Sequence, residues 1–212
     1  RCDVFRGCSS LKKVTLPDRI NRINGGLFRD CSSLEEVLMG KGITEVRPYA
    51  FQNNSALVSV DMAVGLRRLY EDAFRNCSKL VSVRLPSTVT SLDQRVFRDC
   101  TQLAQIVMNG NAPSLGSEVF TNISGDARVY VNAGASGYGA FYEGVPVVED
   151  PVITLLGEPF IRHRAGRSFV DPGATASDIF EGNLSVTVSG LVGVQTQGDY
   201  LLTYTAKDSE GN

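Results

Sequence analysis

Phenylalanine recurs along this 212-residue chain at an interval of 23 residues. The six positions follow one another without an insertion or deletion, and they are Phe5, Phe28, Phe51, Phe74, Phe97 and Phe120. A strict interval of this length is typical of architectures in which each repeat is one supersecondary unit. The feature therefore predicts stacked copies of a 23-residue unit rather than a globular domain with a closed core.

Further columns of residues keep the same interval. In order after the phenylalanines they hold Cys8, Cys31, Asn54, Cys77, Cys100 and Ile123; Leu11, Leu34, Leu57, Leu80 and Leu103; Val14, Val37, Val60, Val83 and Ile106; Leu16, Met39, Met62, Leu85 and Met108; Ile20, Ile43, Leu66 and Val89; Ile23, Val46, Leu69 and Leu92. A unit of 23 residues is too small to bury these side chains by itself, so each unit must cover the next. The pattern predicts a solenoid with one continuous apolar core.

Each unit contains signals for two extended segments and a corner. The spacing Leu-x-x-Val-x-Leu predicts a short strand, and strands of successive units would pair in parallel about 4.8 Å apart. Pro17, Gly40 and Pro86 follow this strand and end it. The segment from Ile20 to Ile23 predicts a second extended stretch. We interpret Phe-x-x-Cys-Ser as a short helical or turn corner, so the expected fold class is mainly β.

The two ends of the repeat array differ. In the sixth unit Ile123 replaces the cysteine and Asp126 stands where leucine is expected. Residues 127–138 then predict a final strand and a turn, which is the role of a capping unit. We therefore expect a solenoid over 1–148 with a C-terminal cap from about 109. At Arg1 the pattern has no such cap, and we expect further repeats or a cap upstream in a longer protein.

A different pattern begins after Glu149-Asp150-Pro151. Residues 151–212 contain short alternating or β-branched runs separated by Gly, Pro and Asp, which is typical of a β-sandwich. The runs expected to form strands are Val152–Leu156, Ser168–Val170, Leu184–Ser189 and Tyr200–Ala206. We predict an immunoglobulin-like β-sandwich as the second domain.

The repeat resembles the BspA-like leucine-rich repeat of bacterial surface proteins. The segments Phe28-Arg-Asp-Cys-Ser-Ser-Leu34 and Phe74-Arg-Asn-Cys-Ser-Lys-Leu80 match its pattern at almost every defined position. The third unit departs from it, with Asn54 for cysteine and Ala63 for proline. The resemblance covers residues 1–148.

The second domain is similar to a bacterial Ig-like domain. The similarity is carried by Pro151-Val-Ile-Thr-Leu-Leu-Gly, by Phe169-Val-Asp-Pro-Gly-Ala-Thr-Ala and by residues 198–212. In that family a further strand follows Gly-Asn, so the resemblance implies that residues 151–212 lack the last strand. Both resemblances imply a secreted or cell-surface protein that binds partners without catalysis.

Composition argues against several functions. The net charge of −2 gives no overall field for nucleic acid or an anionic membrane, and no apolar run reaches the roughly 18 residues that a membrane span needs. The single histidine, His163, has no recognisable nucleophile or acid partner. We therefore expect no enzyme activity, no nucleic-acid partner and no membrane insertion within these residues.

The cysteine column predicts structural thiols. Side chains stacked in one column point the same way and not at each other, so Cys8, Cys31, Cys77 and Cys100 should be free, buried thiols. One or two disulfides between adjacent units are the alternative, and Cys2 lies outside the column. The chain has no Cys-x-x-Cys and no histidine cluster, so a zinc site is not expected.

An arginine column directly follows the phenylalanines, and we take it as the first candidate binding site. Its members, interrupted by Gln52, are Arg6, Arg29, Arg75 and Arg98. Arginine forks bind sulfate, phosphate or carboxylate groups with two hydrogen bonds, so the column is a candidate comb for an acidic polymer. In the alternative interpretation it is a solvated corner whose charge Asp30 and Asp99 neutralise.

The outward positions of the first strand form the second candidate site. They comprise Lys12, Lys13, Thr15, Glu35, Glu36, Leu38, Val58, Ser59, Asp61, Val81, Ser82, Arg84, Ala104, Gln105 and Val107. We single out Lys13, Glu36, Asp61 and Arg84 as candidate binding residues. The set is chemically mixed and partly apolar, which suits contact with a protein, although it could also be an ordinary strand surface.

Two further patterns are weaker. Asp171, Asp178, Glu181, Asp208 and Glu210 could gather at one end of the sandwich and bind Ca²⁺, but they lack the spacing of a ligand loop, and turn-forming roles are favoured. We therefore predict no cofactor. Four Asn-x-Ser sequences begin at Asn53, Asn76, Asn122 and Asn183. The first three follow from the repeat and do not indicate glycosylation.

Taken together, the sequence predicts a non-catalytic adhesion module, secreted or held at the cell surface, whose solenoid binds an extracellular protein or glycan. Two alternatives stay open. The chain could be the accessory binding region of a larger secreted enzyme, or it could be a structural stalk with no ligand.

Overall fold

The computed structural model describes residues 4–132, 134–149, 151–159, 161, 166–178, 181–193, 195 and 200–207. The chain divides into two compact units, Arg1–Val148 and Glu149–Asn212. None of the described residues lies in a helix. The mainly β fold class predicted from the sequence is confirmed.

Two strands per turn build the first unit, as the two extended segments of each repeat predicted. Its strands are β1 (Lys13–Thr15), β2 (Arg22–Ile23), β3 (Glu36–Leu38), β4 (Glu45–Val46), β5 (Ser59–Asp61), β6 (Arg68–Leu69), β7 (Ser82–Leu85), β8 (Ser91–Leu92), β9 (Gln105–Met108), β10 (Ser114–Leu115), β11 (Arg128–Val131), β12 (Phe141–Tyr142) and β13 (Val145–Glu149).

The solenoid strands pair in parallel with a register of 23 residues. Val14 pairs with Val37 and Val37 with Val60, so equivalent residues of successive turns lie side by side. The even-numbered strands form one sheet in the order β10-β8-β6-β4-β2. The odd-numbered strands form two ladders, β1-β3-β5 and β13-β11-β9-β7, which meet where β5 lies beside β7. β12 extends the second ladder at its carboxyl-terminal edge and pairs antiparallel with β13. The sheet face expected to be continuous is therefore interrupted there, and the core residue of β5, Val60, is only half-buried.

The six phenylalanines stack along the core. Neighbouring rings are nearly parallel, with centroids 5.1 to 6.0 Å apart. Phe51, Phe74 and Phe97 are fully buried, whereas Phe5, in the first turn, is 45% exposed. Each phenylalanine begins a corner made of turns, so the turn alternative for the corner is correct and the helical one is wrong.

The cysteine column consists of free thiols in the described part of the chain, as predicted. The thiols of Cys31, Cys77 and Cys100 each donate a hydrogen bond to the carbonyl of the phenylalanine 26 residues earlier, at 3.0 to 3.3 Å. Burial raises the pKa of the Cys31 and Cys77 thiols and keeps them protonated. Asn54 takes the same place in the third turn, where its amide oxygen accepts the backbone N–H of Cys31 at 2.9 Å. Cys2 lies outside the described residues.

Side chains of the last segment close the carboxyl-terminal end of the solenoid. In the fifth turn, the backbone N–H of Phe97 donates to the carbonyl of Val119, one turn further on. The corresponding N–H of Phe120 donates instead to the Glu143 carboxylate at 3.2 Å, and the N–H of Val119 does so at 3.0 Å. Tyr142 donates its hydroxyl to the Pro113 carbonyl at 2.6 Å. At Phe120 the carboxylate thus replaces the backbone carbonyl that another turn would supply.

The second unit consists of antiparallel strands. They are β14 (Val152–Leu155), β15 (Ala174–Asp178), β16 (Gly182–Leu184), β17 (Val186–Ser189) and β18 (Thr203–Ala206). One sheet has the order β14-β15-β16, and β17 pairs with β18. The strand predicted at Ser168–Val170 is wrong, because the strand that pairs with β14 begins after the Asp171-Pro172-Gly173 turn. Pro172 has no N–H to donate to a ladder, and Gly173 has a φ of +83° that favours glycine.

Candidate binding surfaces

The first candidate surface is the outward side of β1, β3, β5, β7, β9 and β11, here called the first face. Lys13, Glu36 and Ser59 lie side by side in one column of this face. Asp61 lies in the neighbouring column and Arg84 in the equivalent column beyond the β5–β7 interruption. The structure thus brings Lys13 and Glu36 into an ion pair of 2.8 Å, while Asp61 and Arg84 lie on adjacent strands.

The middle of the first face is apolar. Val58 is 47% exposed and Val81 is 42% exposed, although neither belongs to the core. Leu38 is half-buried in the same region. Ion pairs lie toward the amino-terminal end of the face, where Lys12 contacts Glu35 at 3.8 Å. The face therefore combines exposed aliphatic side chains with a charged margin, which is how many protein interfaces are arranged.

The second candidate surface is the arginine column at the phenylalanine corner, and its charge is neutralised within the fold. Each of its arginines has an acidic partner. The shortest N–O distances are 3.2 Å for Arg6 with Asp30, 3.7 Å for Arg29 with Asp30, 3.3 Å for Arg75 with Asp99, and 2.7 Å for Arg98 with Glu118. Gln52, which interrupts the column, is buried. The neighbouring acids lie where the solvated-corner interpretation placed them.

A ladder of Asn and Asp side chains runs beside this column. All of its members have a positive φ between 58° and 65°, and they are Asp30, Asn53, Asn76, Asp99 and Asn122. Asn and Asp adopt this conformation more readily than other non-glycine residues, which explains their presence before each cysteine or its replacement. The amide of Asn53 donates to Asp30 at 2.7 Å, Asn76 to Asn53 at 3.2 Å and Asn122 to Asp99 at 3.0 Å.

This ladder was missed by the sequence interpretation, although its signal is present in the column directly before the cysteines. It also gives a role to the Asn-x-Ser sequences of the repeat. The side-chain nitrogens of Asn53, Asn76 and Asn122 are hydrogen-bond donors to the preceding turn. These asparagines hold adjacent turns together.

The third surface, also missed, is the outward side of β2, β4, β6, β8 and β10, here called the second face. Arg22 pairs in register with Glu45, and Glu45 with Arg68. The guanidinium groups of Arg47 and Arg68 lie 4.6 and 4.3 Å from the centroid of the Tyr70 ring. Contacts of this kind between a cation and an aromatic ring are attractive and orient the guanidinium.

Comparison with known proteins identifies the family. Residues 1–125 match the model of the BspA type leucine rich repeat region in six copies. The chain belongs to the BspA-type leucine-rich repeat family. Residues 153–212 match the model of the Ig-like domain of bacterial surface proteins. No curated protein sequence matches this BspA-type chain significantly.

Solved structures of bacterial leucine-rich repeat proteins share the fold. A leucine-rich repeat protein from Bacteroides ovatus is 29% identical, with a TM-score of 0.57, and the match covers 69% of this chain and 38% of that one. The T. pallidum leucine rich repeat protein is 24% identical, with a TM-score of 0.55 and coverage of 66% and 68%. A leucine rich cell surface protein from Faecalibacterium prausnitzii is 23% identical, with a TM-score of 0.47 and coverage of 70% and 42%. The chain thus spans little more than a third of the Bacteroides protein.

Neither family matched by this BspA-type chain is a catalytic one. Within the described residues no three His, Cys, Asp or Glu side chains are grouped so that they could hold a metal ion. Asp171 and Asp178 accept backbone N–H groups of their own turns, from Gly173 at 2.9 Å and Glu181 at 2.8 Å. His163, Asp208 and Glu210 lie outside the described residues.

Over the described part of the chain, no helix is both long and apolar enough to span a membrane.

We expect acid to weaken the solenoid of this BspA-type chain through the Asn and Asp ladder. The hydrogen bond from Asn53 lowers the pKa of Asp30 below the usual value for an aspartate, against an opposing effect of burial and with help from Arg6. Asn122, again opposed by burial, and then Arg75 lower the pKa of Asp99 in the same way. A carboxyl whose pKa is lower in the folded state adds stability above its unfolded pKa, and this stability is lost as the pH falls through the folded pKa.

The measurement is the urea unfolding midpoint at pH 6 and pH 3. The Asp30→Asn/Asp99→Asn variant should lose less stability than the wild type between these two pH values, because it lacks both carboxyls. An equal loss in both proteins would show that the ladder does not contribute to the acid sensitivity.

Proposed function

We propose that this chain is a non-catalytic binding module that is secreted or displayed on the bacterial surface, and that its solenoid recognises an extracellular protein or glycan. The observation that carries the proposal is the first face, where Val58 and Val81 are exposed directly before β5 and β7, the strands on either side of the interruption. The interior of the solenoid is filled by the apolar columns, so exposed aliphatic side chains at this position have no role in the core. The matches to a repeat family and to a domain of bacterial surface proteins support the same conclusion.

The mechanism is recognition by a rigid surface. Parallel pairing fixes the spacing of successive turns, and the phenylalanine stack and the Asn and Asp ladder hold them in register. The backbone of such a surface is already ordered, so binding restricts only the rotamers of its side chains. This small loss of conformational entropy favours affinity. Lys13, Glu36, Asp61 and Arg84 would form the polar margin around the aliphatic centre, where charges mainly set specificity and the rate of association.

The arginine column is a less suitable site for a polyanion. Arg6, Arg29, Arg75 and Arg98 would have to exchange acidic partners within the fold for those of the ligand. Exposed ion pairs contribute little net free energy, so exchanging them for ion pairs with a ligand adds little to the free energy of binding. We therefore assign the partner to the first face.

The test is a binding screen of the purified chain against extracellular-matrix proteins and against acidic and neutral glycans at physiological salt. For an extracellular-matrix protein or a neutral glycan that binds saturably, the Val58→Asp/Val81→Asp variant should raise Kd about tenfold or more, because two charges would enter the aliphatic centre of the interface.

The matched control is Val64→Asp, since Val64 is 69% exposed but does not lie on the first face. It should leave Kd unchanged. Binding of such a protein or neutral glycan that survives the double variant would overturn the assignment to the first face, and the absence of any partner in the screen would favour the structural stalk.

A further inference from the structure

The second face concentrates positive charge in a chain that is negative overall. The segments 18–24, 41–47 and 64–70, which lead into and form β2, β4 and β6, carry six basic residues and two acidic ones. The whole chain carries 21 Lys and Arg against 23 Asp and Glu. The basic residues of these three segments are Arg19, Arg22, Lys41, Arg47, Arg67 and Arg68, and the acidic ones are Asp18 and Glu45.

Three of these arginines are not used by the fold. Arg19, Arg22 and Arg67 are exposed, and among the described residues none of their side chains forms an ion pair or a hydrogen bond. The corner arginines differ, because Arg75 and Arg98 have carboxylates within 3.3 Å. Cations that are concentrated on one face and left without a partner are available to an anionic ligand.

Beside them, Tyr70 holds two more guanidinium groups in place. Arg68 forms two hydrogen bonds with Asp93, at 3.1 and 2.9 Å, while its guanidinium lies over the Tyr70 ring. Arg47 lies over the same ring, and its shortest distance to Glu45 is 3.6 Å. An arginine that is already oriented loses less freedom when it binds a carboxylate or sulfate group.

The surroundings of these arginines suit a carbohydrate better than a protein. The outward positions in and directly beside β2, β4, β6, β8 and β10 carry hydroxyl and amide side chains and no Val, Leu, Ile or Phe, and the exposed Val64 lies outside them in the segment that leads into β6; the hydroxyl and amide residues are Asn21, Asn24, Thr44, Thr90, Ser91 and Ser114. Specific protein interfaces have an apolar, fully buried centre, which this face lacks and the first face has. Hydroxyl and amide groups can exchange hydrogen bonds with sugar hydroxyls.

We propose that the second face binds a linear acidic polysaccharide that carries a carboxylate or sulfate group on alternate sugars. Arg22 and Arg67 bind the anionic groups, Arg47 is oriented to assist them, and the neighbouring hydroxyl and amide side chains bind the sugar hydroxyls. This site is separate from the first face and does not depend on the partner proposed there.

The spacing of the cations supports this choice of ligand. Arg22 lies in β2, and Arg67 directly precedes β6, the strand two turns further on, which is about 9.6 Å from β2. Glu45 lies in β4, the strand between β2 and β6, and repels a polymer with closely spaced charges, such as a nucleic acid, in which each strand has a phosphate about every 3.4 Å. In a polysaccharide with one anionic group per two sugars, a neutral sugar can lie over Glu45.

The test is isothermal titration of the full 212-residue chain with three defined polymers of similar length. These are hyaluronan oligosaccharides, which carry one carboxylate per disaccharide, oligogalacturonate, which carries one on each sugar, and neutral dextran. Hyaluronan should bind with an affinity that falls as salt rises, oligogalacturonate should bind more weakly, and dextran should not bind. The Arg22→Gln/Arg67→Gln variant should lose affinity for hyaluronan about tenfold or more, because two charge-assisted contacts are removed.

The control variant is Lys12→Gln/Lys79→Gln, which changes the net charge equally at exposed residues of the solenoid outside the second face. It should retain wild-type affinity, as should Val58→Asp/Val81→Asp, which separates this site from the first face. The proposal is overturned if hyaluronan fails to bind, if both charge variants lose affinity equally, or if oligogalacturonate binds at least as tightly as hyaluronan.

Discussion

Replacing Phe74 with alanine should lower the free energy of unfolding of the solenoid by about 3–5 kcal/mol. Phe74 is fully buried, and its ring lies between those of Phe51 and Phe97, with centroids 5.1 and 5.7 Å away. Its removal leaves a cavity lined on both sides by rings that are themselves held in the stack. Because the turn of Phe74 pairs with the preceding turn through β6 and β8 and with the following turn through β7 and β9, the structure can close this cavity only in part.

The matched control is Phe5→Ala, at the same position of the repeat. Phe5 is 45% exposed and stacks on one ring only, that of Phe28 at 5.4 Å. Its replacement should cost well under half as much. Urea unfolding followed by circular dichroism measures both variants, and equal losses at the two positions would show that ring burial does not set the stability of the stack.

The parts of the fold that recur in every unit could be predicted from the sequence. The interval between phenylalanines predicted the turns of the solenoid, and the alternation around Val37 predicted a strand whose central residue is buried. The cysteine column predicted free thiols, which the structure confirms in the described residues. Each of these features depends on burial, and burial appears in the sequence as a repeated apolar position.

Features that depend on side-chain geometry were not predicted. The residues of the Asn and Asp ladder occupy positions where the backbone has a positive φ. The periodicity of apolar residues gives no information about φ, so it did not predict the ladder. The stack of Arg47 and Arg68 on Tyr70 is not repeated from unit to unit, so the repeat pattern does not predict it. At Ser168–Val170 the sequence pattern predicted a strand that the structure does not contain. The Pro-Gly sequence that follows favours a turn, and this preference outweighs that of the short run.

The candidate surfaces were predicted only in part. The columns of the first face follow from strand alternation, and the register confirms that Lys13 lies beside Glu36. The interruption between β5 and β7 was not foreseen, since Val60 fits the apolar column as well as Val37 does. Pairing between two neighbouring turns depends on both backbones, and a pattern of single positions does not encode it.

Glu143 shows how a single residue can end a repeat array. It lies 23 residues after Phe120, at the position that a seventh phenylalanine would take. Instead of a ring it contributes a carboxylate, whose two oxygens accept the backbone N–H groups of Val119 and Phe120. Both of these residues are buried, and the N–H of Phe120 has no following turn whose carbonyl could accept it, as the carbonyl of Val119 accepts the N–H of Phe97. Counting one more interval in the sequence would have found this residue.

We expect Glu143→Gln to lower the free energy of unfolding by about 1–3 kcal/mol, because an amide has one accepting oxygen and its NH₂ group would face the second N–H. Hydrogen exchange should accelerate most at the Val119 and Phe120 amides, which report the cap directly. The control is Glu118→Gln, which removes the same charge from an exposed pair with Arg98 at 2.7 Å and should cost about 0–1 kcal/mol. If Glu118→Gln destabilised the chain as much, or if exchange at the two amides were unchanged in Glu143→Gln, the carboxylate would not be the cap.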